Sequence, residues 1–180
     1  MKTTTETEVK FYVSDLDKLA AQMEALGAKL IFPRTHEYNL RFDTPADDIR
    51  KDGCVLRLRR DAESHLTFKG VSESMDGVLS REEIEFSVSD FDAAQRFIEA
   101  LGYRAVAVYE KYRTVYQLGN IHFMLDELPY GHFLEIEGPD VVSIQASAHE
   151  LGLNWDAAVD AGYLGIFRRL CEGRDIDETD

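Results

Sequence analysis

Cysteine, positive charge and long apolar runs are all scarce in this sequence. Its two cysteines, Cys54 and Cys171, lie far apart and form no CxxC pair, which argues against a disulfide framework and favours two reduced thiols. No apolar run approaches the length of a membrane-spanning helix, and the first eleven residues contain no apolar core of a signal peptide. We therefore expect a cytoplasmic protein with no membrane partner.

Basic residues are outnumbered, with 20 Lys and Arg against 34 Asp and Glu, and the formal net charge is −14. A field of this sign repels nucleic acid and anionic membrane surfaces, so no nucleic-acid partner is expected. Basic residues with a functional role must therefore be clustered in one part of the protein. The length of 180 residues suits one domain, which we assign to residues 1–172, and the acidic segment 173–180 is expected to be a disordered tail.

The sequence also lacks the common motifs of phosphate, dinucleotide, zinc and serine chemistry. It contains no GxxxxGK[ST] loop, no GxGxxG turn, no HExxH pair and no GxSxG elbow. Its five histidines are scattered and form no recognisable triad. Any phosphate chemistry must therefore depend on another arrangement of side chains.

An internal repeat organises what is present. The VSDLD of residues 13–17 recurs as the VSDFD of residues 88–92, and the EALG of residues 24–27 recurs at 99–102. Each copy predicts an amphipathic helix with Ser14 or Ser89 as its N-terminal cap and a glycine at its end. Both helices are flanked by strand-like segments, which favours duplication over chance.

Each half of the repeat predicts the order strand, helix, strand, strand, strand. Two β-α-β-β-β halves supply eight strands, enough to close an antiparallel β-barrel with the helices packed outside, an α+β fold. A final amphipathic helix is predicted from about Trp155 to Leu170. Alignment of the two halves sets His36 against Lys111 and Tyr38 against Arg113, which predicts that His36 and Tyr38 face inward.

Charged and apolar residues alternate on six of the predicted strands. Arg57 and Arg59 flank Leu58, for example, and side chains two residues apart share one face of a strand. An open sheet with its polar face in water would explain one or two such strands. Because the pattern recurs with charges of both signs, we favour a closed sheet whose ionic faces meet in a wet interior that binds a polyanion and metal ions.

The predicted lining combines two kinds of chemistry. Its acids are Glu6, Glu8, Glu83, Glu85, Asp126, Glu135 and Glu137, and its bases are Lys10, Arg57, Arg59, Lys69, Lys111 and Arg113. Carboxylate oxygens suit Mg²⁺ or Mn²⁺, and Lys and Arg match phosphate oxygens. Both sets in one cavity indicate phosphoryl or nucleotidyl transfer.

These residues resemble the CYTH family, also called triphosphate tunnel metalloenzymes. Its N-terminal ExExK marker corresponds to residues 6–10, ETEVK, a motif too short to be specific alone. The ordered set that follows is more specific: FDTP at 42–45, LRLR at 56–59, LTFKG at 66–70, REEIE at 81–85, EKYR at 110–113, LDE at 125–127 and GHFLEIEG at 131–138. The resemblance extends from Glu6 to about Leu170.

The resemblance implies an eight-stranded antiparallel tunnel with a defined division of roles. A small-molecule triphosphate would be bound by Lys10, Arg57, Arg59, Lys69, Lys111 and Arg113. Mg²⁺ or Mn²⁺ would be held by Glu6, Glu8, Asp126, Glu135 and Glu137. Lys10, Glu83 and Glu85 would serve catalysis, the two glutamates by assisting at the metal.

Family members include inorganic triphosphatases, thiamine triphosphatases and class IV adenylate cyclases. Our leading hypothesis is metal-dependent hydrolysis of a triphosphate, either inorganic tripolyphosphate or an organic one such as thiamine triphosphate. One alternative is cyclisation of ATP to cyclic AMP and pyrophosphate, and another is a non-catalytic polyphosphate or nucleotide sensor. The repeat is compatible with either a monomer or a homodimer.

Two positions depart from the family pattern. Arg41 stands where an aromatic residue often precedes the FDTP segment. It either contacts an anion or lies at the solvated rim of the tunnel, and we expect the rim. Residues 161–164, AGYL, resemble the usual Ser-Tyr ending only loosely.

Overall fold

Ten β-strands and five α-helices are present in the computed structural model, which describes residues 2–75, 77–159 and 161–171. The strands are β1 (Lys2–Val13), β2 (Lys29–Asp43), β3 (Val55–Arg60), β4 (Ser64–Lys69), β5 (Glu73–Met75), β6 (Val78–Ser87), β7 (Arg104–Leu118), β8 (Ile121–Leu128), β9 (Gly131–Glu137) and β10 (Ala158–Val159). The helices are α1 (Leu16–Ala25), α2 (Asp48–Lys51), α3 (Phe91–Ala100), α4 (Val141–Glu150) and α5 (Tyr163–Leu170). A 3₁₀ turn covers Trp155–Ala157.

Eight of the strands pair in a ring. Their order is β1-β9-β8-β7-β2-β3-β4-β6, and β6 returns to pair with β1. That last pairing is antiparallel and runs from Lys2 opposite Glu85 to Glu8 opposite Leu79. The short strands β5 and β10 extend the sheet beside β6 and β1. The predicted α+β architecture, an antiparallel ring of eight strands with helices outside, is confirmed.

The two repeat halves are β1-α1-β2-β3-β4 and β6-α3-β7-β8-β9, in the predicted order apart from the added α2 and β5. Their helices end at Gly27 and Gly102, whose φ angles of 91° and 97° are readily adopted by glycine. The predicted serine caps are wrong. The side chains of Asp15 and Asp90, one residue later, accept hydrogen bonds from the backbone N–H groups of the first helical turns.

The apolar faces of the strands pack under the helices. In the largest cluster Met23 of α1 and Ile144 of α4 are fully buried against the sheet, where Ile136 is also 0% exposed. A second cluster joins Ile98 of α3 to Leu58 on β3. Because side chains alternate along a strand, burying the apolar face outward turns the opposite face of each strand toward the inside of the ring.

The C-terminal region differs from the prediction of one long helix from Trp155 to Leu170. The chain instead forms the 3₁₀ turn, pairs β10 with Lys10 and Phe11 of β1, and begins α5 only after Gly162. An extended backbone at Gly162 and the strand pairing separate the two segments. The tail predicted at 173–180 lies outside the described residues. None of the helices in the described ranges is long and apolar enough to span a membrane.

A candidate active site inside the strand ring

The ring encloses a cavity of about 370 Å³ whose wall is dominated by ionic side chains. Its ten bases are Lys10, Arg41, Arg50, Arg57, Arg59, Lys69, Arg81, Lys111, Arg113 and Arg168, and its six acids are Glu6, Glu8, Glu83, Glu85, Glu135 and Glu137. Positive charge is therefore in excess here, although the whole chain carries −14. Twelve of the thirteen predicted site residues line this cavity, all but Asp126.

Strand pairing between β1 and β9 builds one side of the cavity. Glu8 lies opposite Glu137 and Lys10 lies opposite Glu135, so four ionic side chains share one face. Lys10 is only 3% exposed, and its Nζ lies 2.6 Å from Glu8 and 3.1 Å from Glu135. Burial alone would lower the pKa of Lys10, but the adjacent carboxylates Glu135 and Glu8 raise it. Lys10 is thus a permanent buried cation.

The seam between β1, β6 and β4 supplies a second ionic group. Lys69 Nζ lies 2.5 Å from Glu6 and 2.8 Å from Glu83. Arg81 Nε donates to Glu6 at 3.1 Å, and its guanidinium lies 3.6 Å from Glu8. Glu6, Glu8 and Glu83 are therefore each held by at least one cation.

The opposite wall comes from β2, β3, β6 and β7. Glu85 lies 3.5 Å from both Arg57 and Arg59 and accepts a hydrogen bond from Thr67 at 2.7 Å. Burial acts to raise the pKa of Glu37, but the charges of Lys111, Arg113 and Arg59 lower it to about 2. These contacts fix the guanidinium groups in place.

Asp126 lies behind the cavity wall rather than on its surface. It is 0% exposed and accepts hydrogen bonds from Lys111 at 3.0 Å, from Arg113 at 2.7 Å and from the hydroxyl of Tyr163. The same Tyr163 hydroxyl lies 3.3 Å from Glu135. Asp126 is therefore placed to orient two bases and α5, since its oxygens already have three donors.

Burial together with neighbouring carboxylates raises the pKa of Glu137 to about 7. Burial is the largest cause, followed by the negative charges of Glu135, Glu6 and Glu8. A divalent cation would relieve this repulsion, and the oxygen donors have the hard character that Mg²⁺ or Mn²⁺ prefers. The donor set thus fits such an ion.

The side chains are not, however, gathered around a metal position. No three or more His, Cys, Asp or Glu side chains in the described ranges are arranged to hold one ion. Lys10 instead bridges Glu8 and Glu135, and Lys69 bridges Glu6 and Glu83. In this arrangement the two lysines lie where a cation would otherwise contact these four glutamates.

A second compartment of about 510 Å³ adjoins the charged cavity. The two share Arg59, Glu85, Arg113 and Glu137 in their walls. The remaining lining of the second compartment includes the apolar side chains of Ile31, Phe32, Val115 and Met124. Residues of α5 line the charged cavity but not this compartment, so the two ends of the interior differ in chemistry.

The prediction that His36 and Tyr38 face inward is wrong. His36 is exposed and bonds Glu110 at 2.5 Å, and the Tyr38 ring packs against Phe91 of α3, with 6.0 Å between ring centroids. Glu37, which lies between them, and Arg41 further along β2 take inward positions. The two halves were aligned one residue out of register at this strand. Such a shift assigns every side chain of the strand to the wrong face of the sheet.

The sequence analysis did not identify several side chains of the site, among them Glu37, Arg50, Arg81, Tyr109, Tyr163 and Arg168. Arg41, expected at the rim, is part of the cavity wall. A signal existed for Arg81, which shares its strand face with Glu83 and Glu85. No strand pattern could identify Tyr163, because it comes from α5 and meets Asp126 only through the tertiary fold.

Comparison with known proteins gives one family and several solved structures. The CYTH domain family matches residues 4–150. A protein of Methanocaldococcus jannaschii named as a candidate adenylate cyclase is 30% identical over 135 residues, which cover 73% of this chain and 75% of that protein. The structure of a candidate adenylate cyclase from Vibrio parahaemolyticus has a TM-score of 0.81 at 22% identity, covering 92% of this chain and 99% of that one.

A plant structure also shares this fold. The Hippeastrum protein HpAC1, described as a candidate adenylyl cyclase with a dominant triphosphatase activity, has a TM-score of 0.67 at 20% identity. The match covers 95% of this chain and 97% of that one. At these identities the two solved structures establish a common fold.

Proposed function

The chain belongs to the CYTH domain family, and on that premise we propose that it binds a triphosphate in the charged cavity and hydrolyses it with the help of a divalent cation. The supporting observation is the convergence of ten bases, eight of them buried or half-buried, on one cavity of an otherwise acidic protein. Ammonium and guanidinium groups gathered in this way match the oxygens of a polyanion. A triphosphate has the charge and the length to contact them.

Substrate binding would replace the internal ion pairs. Lys10 and Lys69 each bridge two glutamates, and phosphate oxygens would accept from the same ammonium groups. Arg57, Arg59, Lys111 and Arg113 supply further donors around the cavity. The glutamates released by the lysines would then be available to other cations.

Glu6, Glu8, Glu135 and Glu137 would hold Mg²⁺ or Mn²⁺, supported by Asp126 from behind the wall. When bound, the ion would neutralise phosphate charge and lower the pKa of its water. Metal binding would relieve the carboxylate repulsion that helps raise the pKa of Glu137 to about 7, so Glu137 would be ionised and able to hold the ion. Glu83 and Glu85 would position Lys69 and the two β3 arginines.

Cyclisation of ATP is the second candidate function. The apolar walls of the second compartment suit an organic group joined to the triphosphate, and relatives are named as candidate adenylate cyclases. The two reactions differ in the nucleophile, which is water in hydrolysis and the ribose 3′-hydroxyl in cyclisation. A pure sensor would need fewer acids than this cavity contains.

A substrate panel tests the proposal. The protein is incubated with inorganic tripolyphosphate, thiamine triphosphate or ATP, with Mg²⁺ or Mn²⁺ present and with the metal chelated, and phosphate and cyclic AMP are measured. We expect phosphate release from a triphosphate only when metal is present. Cyclic AMP from ATP without phosphate release from any of the three would reject hydrolysis in favour of cyclisation.

A further inference from the structure

Two tyrosines line the charged cavity, and their hydroxyl groups have different surroundings. The hydroxyl of Tyr163 donates to Asp126 and lies 3.3 Å from Glu135, so carboxylates of the chain itself take up its proton. The groups that act most strongly on the hydroxyl of Tyr109 are all cations. The two phenols therefore differ in what their protons can bind.

Strand register places Tyr109 among the bases proposed to bind phosphate. It is half-buried on β7, and Lys111 lies two residues further along the same face of that strand, with roughly 7 Å between the two Cα atoms at the usual strand rise. Its cross-strand partner on β2 is Asn39. The amide oxygen of Asn39 has no hydrogen-bond partner among the described residues, so it does not accept the Tyr109 proton.

Three positive charges polarise the Tyr109 phenol. Burial acts to raise the pKa of Tyr109, but Arg57, Lys111 and Arg41 lower it, and Arg57 also acts on the phenol as a hydrogen-bond donor. Lysine and arginine side chains have donor groups only, whereas a phenol has a proton of its own to donate. The cations around Tyr109 therefore cannot accept its proton.

The cations themselves are paired with carboxylates. Arg57 lies 3.5 Å from Glu85, and Lys111 lies 3.0 Å from Asp126. The hydrogen bonds that these two carboxylates accept come from side chains other than Tyr109. Among the described residues, the group that lacks an acceptor is thus the Tyr109 proton and not a positive charge.

We propose that Tyr109 is a further substrate-binding residue, which donates a hydrogen bond to the phosphate group held by Arg57 and Lys111. This inference rests on the proposed binding of a triphosphate in the charged cavity. A phosphate oxygen accepts from both cations and supplies the acceptor that the phenol lacks. A neutral donor adds a directed contact here without adding to the positive charge of the wall.

The two cavity phenols then have separate tasks. Tyr163 holds acids of the site in position whether or not a ligand is bound, whereas Tyr109 contacts the ligand itself. Loss of the Tyr163 hydroxyl weakens the fold, and loss of the Tyr109 hydroxyl weakens the complex with phosphate.

Calorimetric titration with tripolyphosphate tests the inference, with the metal chelated so that no ligand is consumed. The wild type is compared with Tyr109→Phe and with Tyr103→Phe. Tyr103 is half-buried in the cluster under α3 and does not line the cavity, so its variant removes a phenol hydroxyl away from the site. Urea unfolding without ligand is measured in parallel, and Tyr163→Phe is added there for comparison.

Tyr109→Phe should weaken tripolyphosphate binding roughly tenfold to a hundredfold, the effect of losing one hydrogen bond to a charged group. Tyr103→Phe should bind tripolyphosphate as the wild type does. Without ligand, Tyr109→Phe should lose less unfolding free energy than Tyr163→Phe, because it leaves no carboxylate without its donor.

Three results would overturn the inference. Tyr109→Phe could bind tripolyphosphate as tightly as the wild type, Tyr103→Phe could lose as much affinity as Tyr109→Phe, or Tyr109→Phe could lose as much stability as Tyr163→Phe, which would assign Tyr109 a structural role. Failure of the wild type to bind tripolyphosphate at all would instead reject the proposed function, and this inference with it. The two kinds of failure are therefore distinguishable.

Discussion

Glu135 connects the metal-binding and phosphate-binding sides of the proposed site. It is 5% exposed and lies 3.1 Å from Lys10, 3.2 Å from Arg113 and 3.3 Å from the Tyr163 hydroxyl. Burial would raise the pKa of Glu135, but Lys10, Arg113 and Lys111 hold it well below its ordinary value. The side chain is therefore ionised and ready to bind a cation once Lys10 turns to phosphate.

Glu135→Gln should reduce metal-dependent turnover by at least about 100-fold, because a bound metal contributes several kcal/mol of transition-state stabilisation. Triphosphate binding should survive, since the bases remain. Turnover is measured by phosphate release and binding by calorimetry. Glu127→Gln, on the neighbouring strand and paired with Arg34 outside the cavity, is the matched control and should behave as the wild type. Full activity in Glu135→Gln would refute this role.

Glu137 should make the metal-free protein less stable as the pH rises. Its pKa of about 7 exceeds the ordinary 4.5, so the folded state retains a proton that the unfolded chain has lost between these values. This contribution is complete below pH 4.5 and disappears as the pH rises through 7. Relative to Glu137→Gln, the wild type should lose roughly 1–3 kcal/mol of unfolding free energy between pH 5 and pH 8.

Urea unfolding in the presence of a chelator, at both pH values, measures this difference. Glu150→Gln removes an exposed carboxylate that does not line the cavity, and its difference from the wild type should not change with pH. An unchanged difference for Glu137→Gln would show that Glu137 is not protonated in the folded state.

Among individual residues, the alternation of charged and apolar side chains along each strand was enough to predict most of the side chains in the cavity wall. The i, i+2 spacing of Glu6, Glu8 and Lys10 places all three on one face, and burial of the intervening apolar residues fixes which face is inside. The same rule correctly placed Arg57 and Arg59 on the inner face of β3. It could not identify Asp126 as lying behind the wall, because depth depends on how α5 covers the end of the ring.

Helix α5 is the element that closes the charged cavity. Tyr163, in its first turn, packs its ring against Phe133 at 5.2 Å and donates its hydroxyl to Asp126. Burial, Asp126 and Glu135 raise the pKa of Tyr163 well above its ordinary value, so the hydroxyl keeps its proton. Tyr163, which comes from a helix outside the ring, thus holds Asp126 and Glu135 in position.

Tyr163→Phe should cost roughly 1–3 kcal/mol of unfolding free energy, because it deletes a hydrogen bond to a charged group and keeps the ring packing. A positioning role further predicts that kcat falls about tenfold while KM changes little. Urea unfolding and steady-state kinetics measure the two effects. Tyr103→Phe, in the cluster under α3, is the control for loss of a phenol. A fall in stability without any change in kcat would leave Tyr163 with a structural role only.

Elements with strong local signals were predictable, and those defined by tertiary contacts were not. The helices α1 and α3 carry capping residues, apolar stripes and terminal glycines, so only the capping residue was assigned one position early. In α4 the cap Asp140 and the stripe of Ile144 and Ala148 were readable but not recognised. The division of the C-terminal region depends on β10 pairing with β1, which no local pattern reports.

Considering the whole molecule, negative charge prevails over the chain and positive charge prevails in the cavity wall. The chain carries −14, yet the cavity wall has more bases than acids. If the proposed function is correct, an acidic exterior would repel large polyanions, and a basic interior would select an anion small enough to enter. The ring makes this possible because most of its strands turn an apolar face toward the helices and place charged side chains on the inner face.

Tripolyphosphate should therefore stabilise the whole fold even with metal chelated. A ligand at 100 times its Kd adds about 2.7 kcal/mol, which raises the melting temperature by roughly 5–10 °C for a chain of this size. Lys111→Gln, which removes a buried cavity base 3% exposed, should diminish the rise, whereas Lys29→Gln on the exposed start of β2 should retain it. Sodium chloride at equal ionic strength controls for screening, which acts on the acidic surface and not on the enclosed wall. A melting curve that tripolyphosphate shifts no further than the chloride control would mean that the interior charges balance one another and need no anion.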